Sequence, residues 1–234
     1  MSRWRAEVLI PAHRIVFALR DGDVVQLSAG DGPATFRTYR SLPEYVHGMI
    51  AWPNTVLVSG DEPIIVDPGY QTQGDVLVGA LAASGLAPDD IRTVVMTHLH
   101  PDHVSALPQL GDVDLYVHAE ELDTEYGRRY RGFLDRATVH ALDGPCGAIR
   151  TGISWLHTPG HSPGHIAVVV ETEPGPTVIA GDTMGPDPSW FADRNPPAGL
   201  ENRDGHLAAY DKISALDPAV IVPGHYRPIL RGAR

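Results

Sequence analysis

The sequence predicts a layered mixed α/β sandwich rather than a doubly wound parallel sheet. Strand-like runs fall into two groups, each punctuated by helical stretches instead of alternating strictly with them. Four apolar β-runs end in tight turns that carry His or Asp. The chain also holds 12 histidines in 234 residues, a high count that asks for a shared purpose. At this length one compact domain spanning residues 1–234 is expected.

Residues 22–28 (GDVVQLS) and 54–66 (NTVLVSGDEPIIV) read as strands, the second run split at Gly60, Asp61 and Glu62. DPGY then closes the strand. Residues 75–84 are Ala/Leu-rich, start at Asp75 as a cap and stop at Gly85, so a helix is expected. The β-branched run IRTVVMT delivers the chain into HLHPDH. Asp102 reads as the cap of a short helix through VSAL that Pro108 ends. DLYVHA is a strand. Residues 120–136 form an exposed, mostly helical insertion, weakened by Gly127 and Gly132, with Tyr126, Tyr130 and Phe133 as its inward contacts. Cys146 lies in the turn-like DGPCG. ISWLHT, HIAVVVET and TVIAG are strands, the last two joined by the turn EPGP. A proline-rich loop covers 184–199. Leu207, Tyr210, Ile213 and Leu216 recur every three residues, a helical stripe. The strand AVIV leads into PGHY.

Composition excludes several classes. Lys and Arg total 18 against 29 Asp and Glu, a net charge of -11, and no basic run tracks a phosphate backbone, so nucleic acid is not an expected partner. One cysteine forms neither an internal disulfide nor a Cys-rich metal site, and Cys146 reads as an incidental free thiol. The apolar runs VLI and IVFAL are broken before they reach the length of a signal h-region or a membrane span. A soluble cytoplasmic protein is expected, with a small-molecule acyl substrate as its partner, no membrane association, and a homodimer left open.

The turns carry the chemistry. VVMT-HLHPDH, SWLHTPG-H, VIAG-D and VIVPG-H share one grammar, and a sheet whose strands end at one edge brings all four turns together. Imidazole and carboxylate are ligands for zinc, iron or manganese, and a carboxylate can bridge two ions. In HLHPDH an extended backbone points His98 and His100 to one side, while Pro101 redirects Asp102 and His103 toward a second position. With His161, Asp182 and His225 these make seven candidate ligands for two cations, leaving room for a shared water. Zinc is the first choice, with iron or manganese open.

HLHPDH, TPGHSPGH, AGDT and PGH, in that order after IIVDPG, resemble the motif set of the metallo-β-lactamase superfamily over roughly residues 54–226. The resemblance implies an αββα four-layer sandwich with the metals at one edge of the two sheets. It implies that His98, His100 and His161 hold the first metal, that Asp102, His103 and His225 hold the second, and that Asp182 bridges them. Asp67 in VDPG would stand near the metals in support, as well as shaping a turn. His165 is expected to be structural or to brace a ligand. His13, His47, His118, His140, His157 and His206 have no partner pattern and read as ordinary residues.

Two divalent ions acidify a bridging water, so a hydroxide forms near neutral pH and attacks an acyl carbonyl. Asp102, Asp182 and Tyr226 are the catalytic candidates. Within the superfamily the chain is most similar to the N-acyl-homoserine lactonases, which implies opening of a lactone or ester. Those enzymes carry a tyrosine three residues after the bridging aspartate, where this sequence has Gly185, and Tyr226 is the candidate substitute. AGDT is closer to glyoxalase II-type thioesterases, one alternative; an iron-dependent oxygenase on the same fold is another. Trp190 and Phe191 either line a pocket for an acyl chain or pin their loop to the body.

Overall fold

A computed structural model describes residues 4–20, 23–29, 46–173, 175–185, 189–196 and 202–230. One six-stranded sheet runs in the order β1 (Arg5–Ile10), β5 (Thr55–Ser59), β6 (Ile64–Val66), β7 (Thr93–Val95), β8 (Asp114–His118) and β9 (Thr138–Leu142). The second runs β10 (Cys146–Arg150), β11 (Ile153–His157), β12 (Ile166–Val170), β13 (Thr177–Gly181), β14 (Val220–Pro223) and β15 (Ile229–Leu230). Strands β2 (His13–Arg20), β3 (Asp23–Ala29) and β4 (Val46–Trp52) form a separate three-stranded sheet in the order β3-β2-β4.

The two large sheets pack face to face. Val56, Val58, Ile64, Val66 and Val95 from the first meet Ile153, Trp155, Ile166, Val168, Val170, Ile179 and Val222 from the second. The alternate residues of the same strands point outward. Leu57, Ile65, Val94, Leu115 and Val117 pack with Leu77 and Leu81 of helix α1 (Gly74–Ala83). Ala167, Val178, Ala180 and Ile221 pack with Ile213 of helix α7 (Arg203–Ala215). Strands buried on both faces explain the unbroken apolar runs IIV, TVV and TVIAG. Each fully buried Val or Ile is worth roughly 1.5–3 kcal/mol over exposure, so the two packed faces hold these short strands in place more than local propensity does. The result is the four-layer αββα sandwich.

Several local expectations are corrected. His100, not Asp102, is the N-cap of the one-turn helix α2 (Pro101–Val104); Pro101 occupies its first position, where a missing N–H costs nothing. The insertion at 120–136 is mostly helical as expected, but divided into three one-turn helices, α3 (Ala119–Leu122), α4 (Glu125–Arg129) and α5 (Arg131–Leu134). Cys146 is exposed but opens strand β10 rather than sitting in a turn. In the proline-rich loop a helical turn, α6 (Ser189–Ala192), is present, while residues 186–188 and 197–201 lie outside the described residues. Among the described residues no helix is long and apolar enough to cross a membrane.

Topology sets the site. β6 and β7 pair in parallel, as do β13 and β14, so each pair ends at the same edge of its sheet. Ile166 N–H bonds Thr97 O at 2.9 Å and ties the two edges to each other.

Candidate metal centre

The loop after β7 carries His98, His100, Asp102 and His103; the loop after β11 carries His161; Asp182 follows β13 and His225 follows β14. All seven converge. One ligating atom from each of His98, His100 and His161 lies within 4.8 Å of the other two, and the same holds for Asp102, His103 and His225. Asp182 stands between the two sets, with Oδ1 3.3 Å from His103 Nε2 and Oδ2 3.5 Å from both His161 Nε2 and His225 Nε2.

Hydrogen bonds behind the ligands fix which imidazole nitrogen faces the cluster. Asp67 accepts from the Thr97 N–H at 2.8 Å and from the Thr97 hydroxyl at 2.6 Å, and its Oδ2 is 2.8 Å from His103 Nδ1. The single Thr97 hydroxyl proton goes to Asp67, so His98 Nδ1, 3.0 Å from that hydroxyl, must donate. His98 therefore turns an unprotonated Nε2 inward, and Asp67, bonded to His103 Nδ1, turns the His103 Nε2 toward the cluster. Asp67 also adopts φ 52, so its turn-forming and supporting roles coincide.

This donor set fits divalent cations. His98 Nε2 is buried with no hydrogen-bond partner, and His103 Nε2 and Asp182 Oδ1, also buried, face only each other at 3.3 Å, a costly arrangement for polar atoms unless a ligand satisfies them. His161 Nε2 and His100 Nδ1 are 2.9 Å apart, a spacing close to that of two nitrogens on one tetrahedral ion.

Electrostatics divide the two sets. Burial, reinforced by neighbouring imidazoles, pushes His98 well below the ordinary histidine range and lowers His161 to about 4, so both are neutral at pH 7. Burial alone would lower His103 and His225 too. The carboxylates around them outweigh it: Asp182, Asp102 and Asp67 raise His103 well above its usual value, and Asp182 with Asp102 lifts His225 to about 9. Conversely burial would raise Asp182, but His225 and His103 hold it well below the carboxylate range. A cation entering beside His103 and His225 must displace their protons. Zinc titration of the metal-free protein at pH 7 is expected to release about two protons, measured by calorimetry in buffers of different ionisation enthalpy, with the His225 share of the release fading as pH rises past 9. A proton count of zero at pH 7 would contradict it.

Two residues that motif reading passed over, Glu121 and Asn54, and one that it singled out, His165, hold the loops. Glu121 is buried and accepts from Leu99 N–H and Gly164 N–H, both at 3.0 Å, and from the Ser162 hydroxyl, so it clamps the His98–His100 loop to the His161 loop. In sequence it sits in a charged run and looks solvated. Asn54 Nδ2 donates to Pro223 O and Tyr226 O at 2.7 and 2.6 Å, steadying the His225 loop. His165, buried, accepts the Asp182 N–H at Nε2 (3.2 Å), which matches its expected bracing role. Glu121→Ala strands two buried N–H groups, each costing about 1–3 kcal/mol. The expected result is a melting temperature lower by several degrees and zinc binding about 10–100-fold weaker; unchanged values in both assays would remove Glu121 from this role.

The profile of the metallo-beta-lactamase superfamily matches residues 53–225, from just before β5 to the last of the seven side chains. The chain belongs to the metallo-beta-lactamase superfamily. Among its relatives there, human metallo-beta-lactamase domain-containing protein 1 is 35% identical over 179 residues, 73% of this chain and 61% of that protein. The mouse protein of the same name is 32% identical, and the match spans 60% of its length, so this chain corresponds to about three-fifths of these relatives. An N-acyl homoserine lactonase of Bacillus thuringiensis is 28% identical over 133 residues, 56% of this chain and 53% of that one. The fold also superposes on an N-acyl homoserine lactone hydrolase solved with N-hexanoyl-L-homoserine at its catalytic metal centre, with TM-score 0.64, 21% identity, and coverage of 96% of this chain and 93% of that chain.

Around this candidate centre the chain has its own features. Gly185 has φ +67, and a Cβ there would lie 2.4 Å from the Trp190 ring. The indole occupies the space into which a side chain at 185 would project, so a tyrosine at this position is sterically excluded as well as absent. Phe191 packs edge-on against Tyr210 of α7 at 5.3 Å and thus pins the loop to the body. Tyr126 from the 120–136 segment stands edge-on to His100 at 4.9 Å. Tyr226 lies against the Arg227 guanidinium at 5.7 Å.

Proposed function

We propose that this chain is a hydrolase of lactones or related esters that works with two divalent cations, zinc foremost. His98, His100 and His161 would hold one, Asp102, His103 and His225 the other, with Asp182 shared. The carrying observation is the pair of three-residue sets converging on one carboxylate, backed by the buried polar atoms described above. When bound, the cations supply Lewis acidity, lowering the pKa of a water and drawing electron density from the acyl carbonyl.

The chain's own groups do the rest. Asp182 holds the two ligand sets at a fixed separation. Asp67 and Thr97 lock the His103 and His98 rings, so little reorganisation is needed during reaction. Asp102 is the more open of the two carboxylates in the cluster, its side chain 27% exposed against 12% for Asp182, and its Oδ2 is 3.0 Å from His225 Nε2. In this reading it takes the proton that water loses as the new C–O bond forms and returns it to the departing alkoxide as the acyl C–O bond breaks. With position 185 closed, Tyr226 is assigned as donor to the acyl oxygen. Tyr226→Phe is then expected to lower kcat by about 100-fold with little change in KM; a wild-type kcat would take Tyr226 out of the reaction.

The deciding experiment presents the zinc-loaded protein with homoserine lactones of varied acyl length, aryl esters and acyl-glutathione thioesters. Turnover of the oxygen esters ahead of the thioesters is expected. Exclusive turnover of acyl-glutathione would replace the reading with a thioesterase. One iron per chain without zinc in the purified protein would replace it with an oxygenase.

A further inference from the structure

Two aromatic side chains stand at either end of the ligand cluster. Tyr126 meets the His100 ring edge-on at 4.9 Å, and the Trp190 indole lies over Gly185, whose N–H bonds the Asp182 carbonyl at 3.0 Å. Between them run the ligand atoms themselves: His100 Nδ1 is 2.9 Å from His161 Nε2, which is 3.5 Å from Asp182 Oδ2. The His161 side chain in the middle of this line is 26% exposed, so the two half-buried rings border the open side of the cluster.

Both rings are held in place. Tyr126 precedes Gly127 in α4, where a Cβ would overlap the Glu121 and Leu122 carbonyl oxygens, so the turn is pressed against α3. Thr124 caps α4, its hydroxyl donating to Glu121 O at 2.7 Å and accepting the Gly127 N–H at 3.0 Å. The wall is thereby tied to the residue that clamps the ligand loops. In α6 the benzo edge of Trp190 abuts Gly185, its main-chain carbonyl accepts the Asn195 N–H at 2.8 Å, and neighbouring Phe191 is pinned to Tyr210. The indole nitrogen is at the other end of the ring from that edge, so Trp190 turns an apolar surface and not a donor toward Gly185.

Flat, fixed rings suit a flat, rigid ligand. An aromatic group meets them edge-to-face or offset-stacked, which adds several-fold in affinity beyond the area it buries. It also gives up little conformational freedom on binding, whereas an alkyl chain must lose its rotamers. An alkyl chain further needs an aliphatic channel. The exposed large aliphatic side chains among the described residues, Val76 of α1 and Leu230 of β15, belong to neither wall.

We propose that Tyr126 and Trp190 determine substrate choice by selecting an acyl group that carries an aromatic ring. For the bond that is broken this rests on the hydrolase reading above; for the binding of the ring it does not.

The test is calorimetric binding of two ring-opened products, N-phenylacetyl-homoserine and N-hexanoyl-homoserine, to the zinc-loaded protein. They share one carboxylate and one amide and differ only in the acyl tail. Wild type is expected to bind the phenylacetyl compound about 3–10-fold more tightly. Tyr126→Leu and Trp190→Leu keep apolar bulk and lose the ring, so each is expected to bring the ratio toward one, while Tyr126→Phe retains it. Trp190→Leu acts from the opposite wall and reads the site even where Tyr126→Leu disturbs α4. Equal affinities in wild type, or a preference that survives either leucine substitution, overturns the proposal. Turnover of the two corresponding lactones is followed separately. If the preference holds and neither lactone is opened, the aromatic selection stands and the hydrolase reading falls; lactone opening with equal product affinities has the reverse meaning.

Discussion

Asp182→Ala is expected to reduce bound zinc at the main centre from two equivalents to one or none and to lower kcat/KM by three orders of magnitude or more, roughly 4 kcal/mol of transition-state stabilisation. The Asp182 carboxylate lies within 3.5 Å of His103, His161 and His225, so its removal disconnects the two ligand sets. The sheets should survive, because Asp182 contributes to neither of the packed faces that hold them. A second readout separates charge from shape. In the metal-free protein His225 is raised to about 9 chiefly by Asp182, so both Asp182→Ala and Asp182→Asn should bring its titration down toward the ordinary histidine range in an NMR experiment. Unchanged zinc stoichiometry with wild-type turnover would show that the chemistry lies elsewhere.

Gly224→Ala is expected to cost nearly as much, although it removes no functional group. A Cβ at 224 would stand 1.9 Å from Asp182 Oδ1 and 3.1 Å from the Gly181 carbonyl carbon. The backbone has no room to retreat. Gly224 N–H bonds Gly181 O, and Gly224 O accepts from Asn54 N–H, both at 2.7 Å. Gly224 is not among the residues with positive φ, so the effect comes from the contact and not from backbone strain. Either the loop or the Asp182 carboxylate must shift, and a displacement on the order of 1 Å costs about 100-fold in rate. Turnover lower by about two to three orders of magnitude is therefore predicted, with overpacking taking roughly 1–3 kcal/mol from stability. Kinetics indistinguishable from wild type would mean that Asp182 does not have to occupy the position seen here.

The seven clustered side chains were legible in sequence because metal chemistry draws on few residue types, and each of them follows a recognisable apolar β-run. Such runs are readable because strands buried on both faces select Val and Ile at every position, as in β6, β7 and β13. Half-exposed strands give no such signal. β9 and β10 are short and only partly buried, and β1 finds its partner β5 some fifty residues away, so none of the three stood out. Glu121 shows the limit most clearly. Its neighbours in sequence are charged and its helix is one turn long, yet Leu99, Ser162 and Gly164 close over its carboxylate from two distant loops.

The sequence by itself determined the layered α/β class, the candidate ligands and their order, since these depend on residue type and on periodicity along the chain. Tertiary structure alone decided what surrounds them: that Asp67 and Thr97 fix the ring nitrogens, that Trp190 closes the space over Gly185, and that His118 and His157 stack across two sheets. Those facts turn on distances of a few ångströms between segments far apart in the chain. Local patterns carry no record of such distances, which are fixed only when both faces of each sheet are packed.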